Sequence, residues 1–462
     1  MTAGSRLEHH TSIIVGGGPA GLALSVVLGG WRPYFSESPI LQQRYAQLAN
    51  YLRSFNSSLL GMDFRKLVNS QILPVDLFRI LHHPRQLYES LDQIAMEFRQ
   101  EKALDYLLIT QEEVGGVWNN VPKNLLTLSP GQWMELAFYP LAQHVDEKGI
   151  DIDDVNDLII KHDLLNYYRE IPSLFEQKSR MRTNERVMSI EPHEEGFLVT
   201  SRDLAGREQS PEIEGLKRAP MPQPFEEFSE FDEKQYTCKY LIYAAGQRCV
   251  LRKLGIPGED LPGVHSFYDK VEDFPGSRIL VIGGGRSADW AATELHDADK
   301  QTYYAMRQPA ERHWRLINDS RGGLPYYARI AEIMEKNGKQ LVPFYDTQAT
   351  RFESHGDAIL ATLMVSGEKK QIEVDHVIKE IGSWPDYSLF KGFPELTLFE
   401  KHDPYRFQVH QMSTHPHNYE SVDIPNLYAG GYLAQDIGLV VIAMHGTTYA
   451  IAGDIFQKEG MI

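Results

Sequence analysis

Two glycine-rich turns constrain this chain more than any other feature of it. Gly16-Gly17-Gly18-Pro19-Ala20-Gly21 follows the apolar run 13–15, and Gly283-Gly284-Gly285-Arg286-Ser287-Ala288 follows the apolar run 279–282. Each turn leads into a helix-like stretch. A strand that turns on G-x-G-x-x-G into a helix aims the helix N-terminus, with its unsatisfied N–H groups, at whatever lies over the turn. The first glycine permits the tight turn. The second lets a pyrophosphate approach the backbone, and the third lets helix and strand pack closely, a task Ala288 still allows. Both turns therefore predict dinucleotide sites, and the pair predicts an α/β chain with two Rossmann-like dinucleotide-binding domains.

The residues after each turn separate the two sites. An acid about 20 residues on is expected to hold ribose hydroxyls, and Glu37 stands 21 positions after Gly16. The second site has Arg307 at the end of its next strand, 24 positions after Gly283, with Arg312 and Arg315 beyond. An arginine there suits a 2′-phosphate. The reading is FAD at Gly16, Gly18, Pro19, Ala20, Gly21 and Glu37, and NADPH at Gly283, Gly285, Arg286, Ser287, Ala288 and Arg307.

Hydrophobic periodicity fills in the rest. A strand ends at 34–35, and 38–105 reads as a mostly helical insertion, with 84–98 a helix on Leu87, Leu91 and Ile94. Strands follow at 106–110, 186–190, 197–201 and 240–244, with a helix at 155–170 and a long loop at 204–236. The second βαβ unit runs from 278 to 306. Residues 311–345 read as irregular, then helical. Strands at 358–365, 371–374, 376–381 and 427–429 precede a helix from about 437 to 458. The expected division is an FAD domain over 1–246, an NADPH domain over 247–385, and a return to the FAD domain over 386–462.

Composition excludes several classes. A formal net charge of −17 over 462 residues argues against nucleic-acid binding. No apolar stretch approaches the ~20 residues of a membrane span, and no signal-peptide core precedes the first glycines, so a cytoplasmic location is expected. Cys238 and Cys249 are the two cysteines, with no C-x-x-C spacing, which leaves a dithiol reductase without its chemistry. His410, His415 and His417 lack the Cys or H-E-x-x-H context of a zinc site, and no metal is expected.

The segments that join the two sites carry a resemblance. Gly115-Gly116-Val117-Trp118 is a G-G-x-W box, Tyr243-Ala244-Ala245-Gly246 resembles an A-T-G strand end, and Ile256-Pro257-Gly258 leads to Val264-His265-Ser266-Phe267-Tyr268. With these motifs the chain resembles the class B flavoprotein monooxygenases, the microsomal-type flavin monooxygenases and the ornithine and lysine N-hydroxylases. Within that set it is most similar to the oxidative stress-induced growth inhibitor family. The boxes 128–134, with Gly131-Gln132-Trp133, 381–388, with Gly382-Ser383-Trp384-Pro385-Asp386, and 427–436, with Gly430-Gly431 and Gln435-Asp436, carry the closer match.

The resemblance implies an NADPH-dependent monooxygenase that inserts one oxygen atom of O2 through a C4a-(hydro)peroxyflavin, with N-hydroxylation of a small amine as the leading reaction. Baeyer–Villiger oxygenation is one alternative, and an FAD-binding regulatory protein with weak NADPH oxidase activity is another. It further implies flavin contacts at Gly116, Trp118, Gln132, Val187, Ala245, Gly246, Gly431 and Asp436. Gln132, Trp133 and Asn318 are the implied residues near the reacting atoms. The expected partners are a small-molecule substrate and O2, and the pattern is compatible with a homo-oligomer.

Overall fold

A computed structural model describes residues 7–85, 88–204, 233–336, 338–400, 410–437 and 441–462. The chain opens with β1 (Glu8–Val15), α1 (Pro19–Leu28) and β2 (Trp31–Phe35). Short helices α2 (Pro39–Arg44), α3 (Ala46–Arg53), α4 (Phe64–Asn69) and α5 (Pro74–His82) follow. Next come β3 (Met96–Gln100), β4 (Tyr106–Ile109), α6 (Leu141–Lys148), α7 (Lys161–Leu174), β5 (Met181–Arg182), β6 (Glu185–His193), β7 (Gly196–Asp203) and β8 (Glu233–Tyr243).

The central strands of the first sheet are apolar along their length. Ile13, Ile14, Leu108, Ile109, Leu241 and Ile242 are all fully buried, which is the mark of a sheet covered on both faces. Strand order is β5-β4-β1-β8-β7-β6, and β1 runs parallel to both β4 and β8. Against β1 packs α1, in which every residue from Ala20 to Leu28 is buried.

The chain leaves this sheet after Tyr243. It then forms β9 (Val250–Leu251), β10 (Val264–His265), β11 (Arg278–Ile282), α8 (Arg286–Asp297), β12 (Gln301–Ala305), α9 (Ala310–Ser320), α10 (Pro325–Glu335) and β13 (Leu341–Phe344). A meander of β14 (Thr347–His355), β15 (Ala358–Val365) and β16 (Glu368–Val374) leads to β17 (His376–Lys379) and β18 (Ser383–Trp384). The second sheet is parallel throughout, in the order β10-β17-β11-β12-β13. After β19 (Leu398–Glu400) and β20 (His410–Met412), β21 (Leu427–Ala429) pairs with β8 and so rejoins the first sheet. The last element is α11 (Val441–Lys458), packed against α1 and α5. One edge of β8 is thereby shared: β7 takes Glu233–Cys238, and β21 takes Leu241–Tyr243. No helix of the described residues is long and apolar enough to cross a membrane.

Several element readings need correction. The stretch 84–98 is not a helix. It holds a single 3-10 turn, Leu91–Gln93, and then β3, which pairs antiparallel with β2. The i, i+3 apolar spacing was satisfied by burial of Ile94 and Met96 instead, and β2 gained a partner for its edge. Leu87 lies outside the described residues. The helix expected at 155–170 begins later, as α7. Residues 311–335 are largely helical from the outset, as α9 and α10, and 341–344 form β13. The final helix is described from Val441, residues 438–440 lying outside the described ones, and β14 was not foreseen. Of the loop expected at 204–236, residues 205–232 lie outside the described ones, and 233–236 belong to β8.

Candidate nucleotide-binding sites

The three motif glycines of the first turn differ in why they are small. Gly16 has φ +118°, and a Cβ there would stand 2.4 Å from the Ala244 carbonyl oxygen. A Cβ on Gly21 would stand 1.9 Å from the Gly16 carbonyl oxygen. These two glycines are demanded by the fold itself. Gly18 is another matter. Its φ of −74° and ψ of −178° are open to any residue, and the nearest atom to an added Cβ is Gly116 Cα at 3.7 Å. Nothing among the described residues requires glycine at 18. The space beside it is kept open at the N-terminus of a ten-residue helix whose first turn carries Pro19 and no side-chain cap, where a bound anion would sit.

The G-G-x-W box is folded onto this turn. Gly115 donates its N–H to the Gly17 carbonyl at 2.9 Å. Gly115 and Gly116 both have positive φ, and a Cβ on Gly116 would come within 2.7 Å of Gly18 Cα. Trp118 is buried in the 3-10 turn that follows. Ala245 and Gly246 (φ +73°) leave β8 beside Gly16, and Gly430 donates to the Tyr243 carbonyl at 2.9 Å. Gly431 (φ +63°) donates to Thr447 Oγ1 of α11 at 3.1 Å. Residues 16–21, 115–118, 244–246 and 430–431 are thus gathered at one end of the first sheet.

The other implied contacts stand around this group. Val187 is buried in β6, at a bulge. Asp436 is exposed with φ +62°, and its N–H donates to Gln411 Oε1 at 3.1 Å. Glu37 lies just past β2, exposed, and both of its oxygens accept from Arg53, at 2.6 and 2.9 Å. That hydrogen-bonded partner holds its carboxyl below the usual carboxylate range. Gln132 is fully buried. Its Oε1 accepts the Tyr88 N–H at 2.9 Å, while its Nε2 has no hydrogen-bond partner among the described residues. A buried donor left over in this way is costly unless something else fills it. Trp133 is half-buried beside it.

At the second turn Gly283 has φ +156°, and a Cβ there would meet the Glu380 carbonyl oxygen at 2.4 Å. Gly285 caps the twelve-residue α8 with ordinary extended backbone and no side-chain cap. Arg286 and Ser287 are exposed on the first turn, while Ala288 is buried against Gly283. Arg307 is exposed just beyond β12. Beside it is a residue that the sequence reading missed. Arg252 lies on the connection out of the first sheet, where β9 pairs antiparallel with β18. Its guanidinium sits 3.4 Å from the Trp384 ring centroid, and its N–H donates to the Gly382 carbonyl at 3.1 Å. Burial and then the neighbouring charge of Arg307 hold Arg252 below its ordinary range. Two facing cations invite an anion between them. Gln411 was also missed; its Nε2 donates at 2.7 Å to the carbonyls of Tyr432 and Ile437, which fastens the loop bearing Gly431 and Asp436.

Asn318 is exposed within α9, on the second unit, and no described hydrogen bond ties it to the Gln132 group. The histidines once considered for zinc are spread out: His410 packs on Trp384 at 4.2 Å between ring centroids, and His415 and His417 face each other at 5.8 Å.

Comparison with known proteins fits this geometry. A family model described as pyridine nucleotide-disulphide oxidoreductase matches residues 229–431. The chain is similar to a bacillithiol disulfide reductase from Staphylococcus aureus, at TM-score 0.63 and 18% identity over 98% of this chain and 100% of that one. It is also similar to an ornithine hydroxylase from Pseudomonas aeruginosa, at TM-score 0.57 and 15% identity over 97% and 99% of the two chains. The fold is that of a two-domain flavoprotein oxidoreductase. In sequence the chain is 25% identical to the human oxidative stress-induced growth inhibitor 1 over 97% of its own length and 95% of that protein's.

These relatives divide between thiol and oxygen chemistry, and the cysteines bear on the division. Cys238 is buried midway along β8, and Cys249 is half-buried beyond that strand's C-terminal end, close to Tyr243. The five residue steps from 238 to 243 alone span about 16 Å, so the two thiols are not a pair. Burial pushes the Cys249 thiol up to about 11 and Cys238 higher still, away from the thiolate that disulfide exchange requires.

Proposed function

We propose that the protein is an FAD- and NADPH-dependent monooxygenase whose leading substrate class is a small amine, hydroxylated on nitrogen. The observation that carries this is the open slot at Gly18 under a helix N-terminus, in a chain whose two thiols stand apart, one of them buried. FAD is assigned to the group formed by residues 16–21, 115–118, 244–246 and 430–431. NADPH is assigned to Gly283, Gly285 and the first turn of α8, with Arg307 and Arg252 on its 2′-phosphate. The division into 1–246, 247–385 and 386–462 is part of the same reading.

Bound FAD would supply two-electron transfer from NADPH to O2, with one oxygen atom entering the substrate and the other leaving as water. The balance is NADPH, H+, O2 and R2NH to NADP+, H2O and R2NOH. The chain's own residues bind, orient and exclude water. The fully buried amide of Gln132 would donate its spare N–H to the bound group, and Trp118 and Trp133 would wall the space beside it.

Anaerobic reduction by NADPH followed by mixing with O2 tests this reading. We expect a transient near-ultraviolet absorber, distinct from both reduced and oxidised flavin and longer-lived with NADP+ bound. Direct reoxidation to peroxide under every substrate and NADP+ condition would remove the oxygenase assignment in favour of an oxidase or a flavin-binding regulator. The thiols supply a separate check. Cys238→Ser with Cys249→Ser should leave the transient and the rate of reduction by NADPH within about twofold of wild type, because thiols held too far apart to pair carry no disulfide step. A loss of NADPH-linked turnover in that variant, with flavin retained, would return the protein to disulfide chemistry.

A further inference from the structure

The helical insertion holds a second cluster of chemistry-bearing groups that the reaction above does not use. Helix α5 ends at His82, and His83 departs from it with φ −125° and ψ +80°. On a continuing helix, neighbouring side chains point about 100° apart and do not meet. The break lets both imidazoles turn to one side, with ring centroids 4.0 Å apart. They meet Glu135, brought in from the segment after Gly131-Gln132-Trp133. His82, His83 and Glu135 are all essentially buried.

Both imidazoles address the same carboxylate oxygen. His82 Nε2 is 2.9 Å and His83 Nε2 is 3.7 Å from Glu135 Oε1. The other oxygen, Oε2, is already occupied: it accepts the Tyr88 hydroxyl and the Leu141 N–H, each at 2.7 Å. One ligand atom from each of the three residues lies within 4.8 Å of the others. Tetrahedral bonds of 2.0–2.1 Å place ligand atoms about 3.3 Å apart. The two separations from Oε1 fall on either side of that value, and the third is under 4.8 Å, so an ion would draw the three ligand atoms together. The donors on Oε2 supply the outer hydrogen bonds that fix a ligating carboxylate as a one-oxygen ligand.

We propose that His82, His83 and Glu135 form a mononuclear zinc site with two imidazoles and one carboxylate, its fourth position left to water or a ligand.

The test uses the full chain with no histidine tag and with its flavin. The protein is dialysed against EDTA, mixed with excess Zn2+, passed over a desalting column and assayed for zinc by mass spectrometry. About one zinc per chain is expected to remain. His83→Gln and Glu135→Gln should each lower retained zinc at least tenfold, with flavin absorbance and far-ultraviolet circular dichroism unchanged. Should Glu135→Gln fail to fold, His83→Gln alone decides. Loading with Co2+ should give the intense visible bands of a tetrahedral ion, lost in His83→Gln. Wild-type protein that retains no zinc overturns the proposal. So does a folded His83→Gln chain that retains as much as wild type, since the ion would then be held elsewhere.

Discussion

Gly18→Val should purify as a folded, colourless protein. The argument rests on the contrast among the glycines of one turn. At Gly21 an added Cβ would overlap the Gly16 carbonyl oxygen, so Gly21→Val should damage the fold and be recovered poorly. At Gly18 the backbone is ordinary, and an added Cβ has 3.7 Å to its nearest neighbour. The valine methyls would extend into the space over the N-terminus of α1, which the proposed pyrophosphate needs. Flavin content should fall to less than about a tenth of wild type, while the melting temperature matches that of wild-type apoprotein. Gly18→Ala should give an intermediate content, because one methyl intrudes less than three carbons. Recovery of yellow Gly18→Val at full stoichiometry would show that the flavin lies elsewhere.

Replacing either arginine at the second turn should discriminate between the two nicotinamide coenzymes. Arg307→Ala should raise KM for NADPH roughly ten- to hundredfold, the equivalent of about 1.5–3 kcal/mol for a charge-assisted hydrogen bond to phosphate. KM for NADH should barely move, because NADH lacks the phosphate. Arg252→Ala should behave alike, with a further signature. Arg252 is held over Trp384, so Arg252→Lys, which keeps charge but loses the planar stack and fork, should recover little of the loss. High salt should weaken NADPH binding more in wild type than in either alanine variant. Equal losses for NADPH and NADH would give these arginines a structural role and reopen the choice of coenzyme.

What could be read from the sequence was whatever local spacing encodes. The glycine turns, the strands before them and the helices after them are contiguous, and each obeys a short-range rule. Gly21 is fixed by its near neighbour Gly16, while Gly16 and Gly283 are held small by the distant carbonyls of Ala244 and Glu380. The stretch 84–98 went wrong because its apolar spacing fits a helix as well as a strand lying against β2, and the choice belongs to β2, some sixty residues earlier in the chain. Arg252 and Gln411 were invisible for a related reason. Each acts on residues far away in sequence, Trp384 in one case and the 432–437 loop in the other, and neither sits in a pattern of its own. The His82–His83–Glu135 cluster combines both difficulties. Its two histidines are adjacent, which on an unbroken helix would hold them apart, and its carboxylate arrives from the far side of β3 and β4.

The pairing of β21 with β8 has a consequence for the order of synthesis. A ribosome delivers Tyr243 long before Leu427, and until then the end of β8 has an open edge and the Tyr243 carbonyl lacks the Gly430 N–H that it accepts. The nascent first sheet must wait through the whole of the second unit, which emerges complete and can fold on its local parallel crossovers. The long delay makes the exposed β8 edge the vulnerable feature during translation. Ribosome stalling or premature termination between 385 and 427 therefore releases a chain whose second unit is folded and whose first is sticky, and such fragments should be found with chaperones or in aggregates rather than as half-active enzyme.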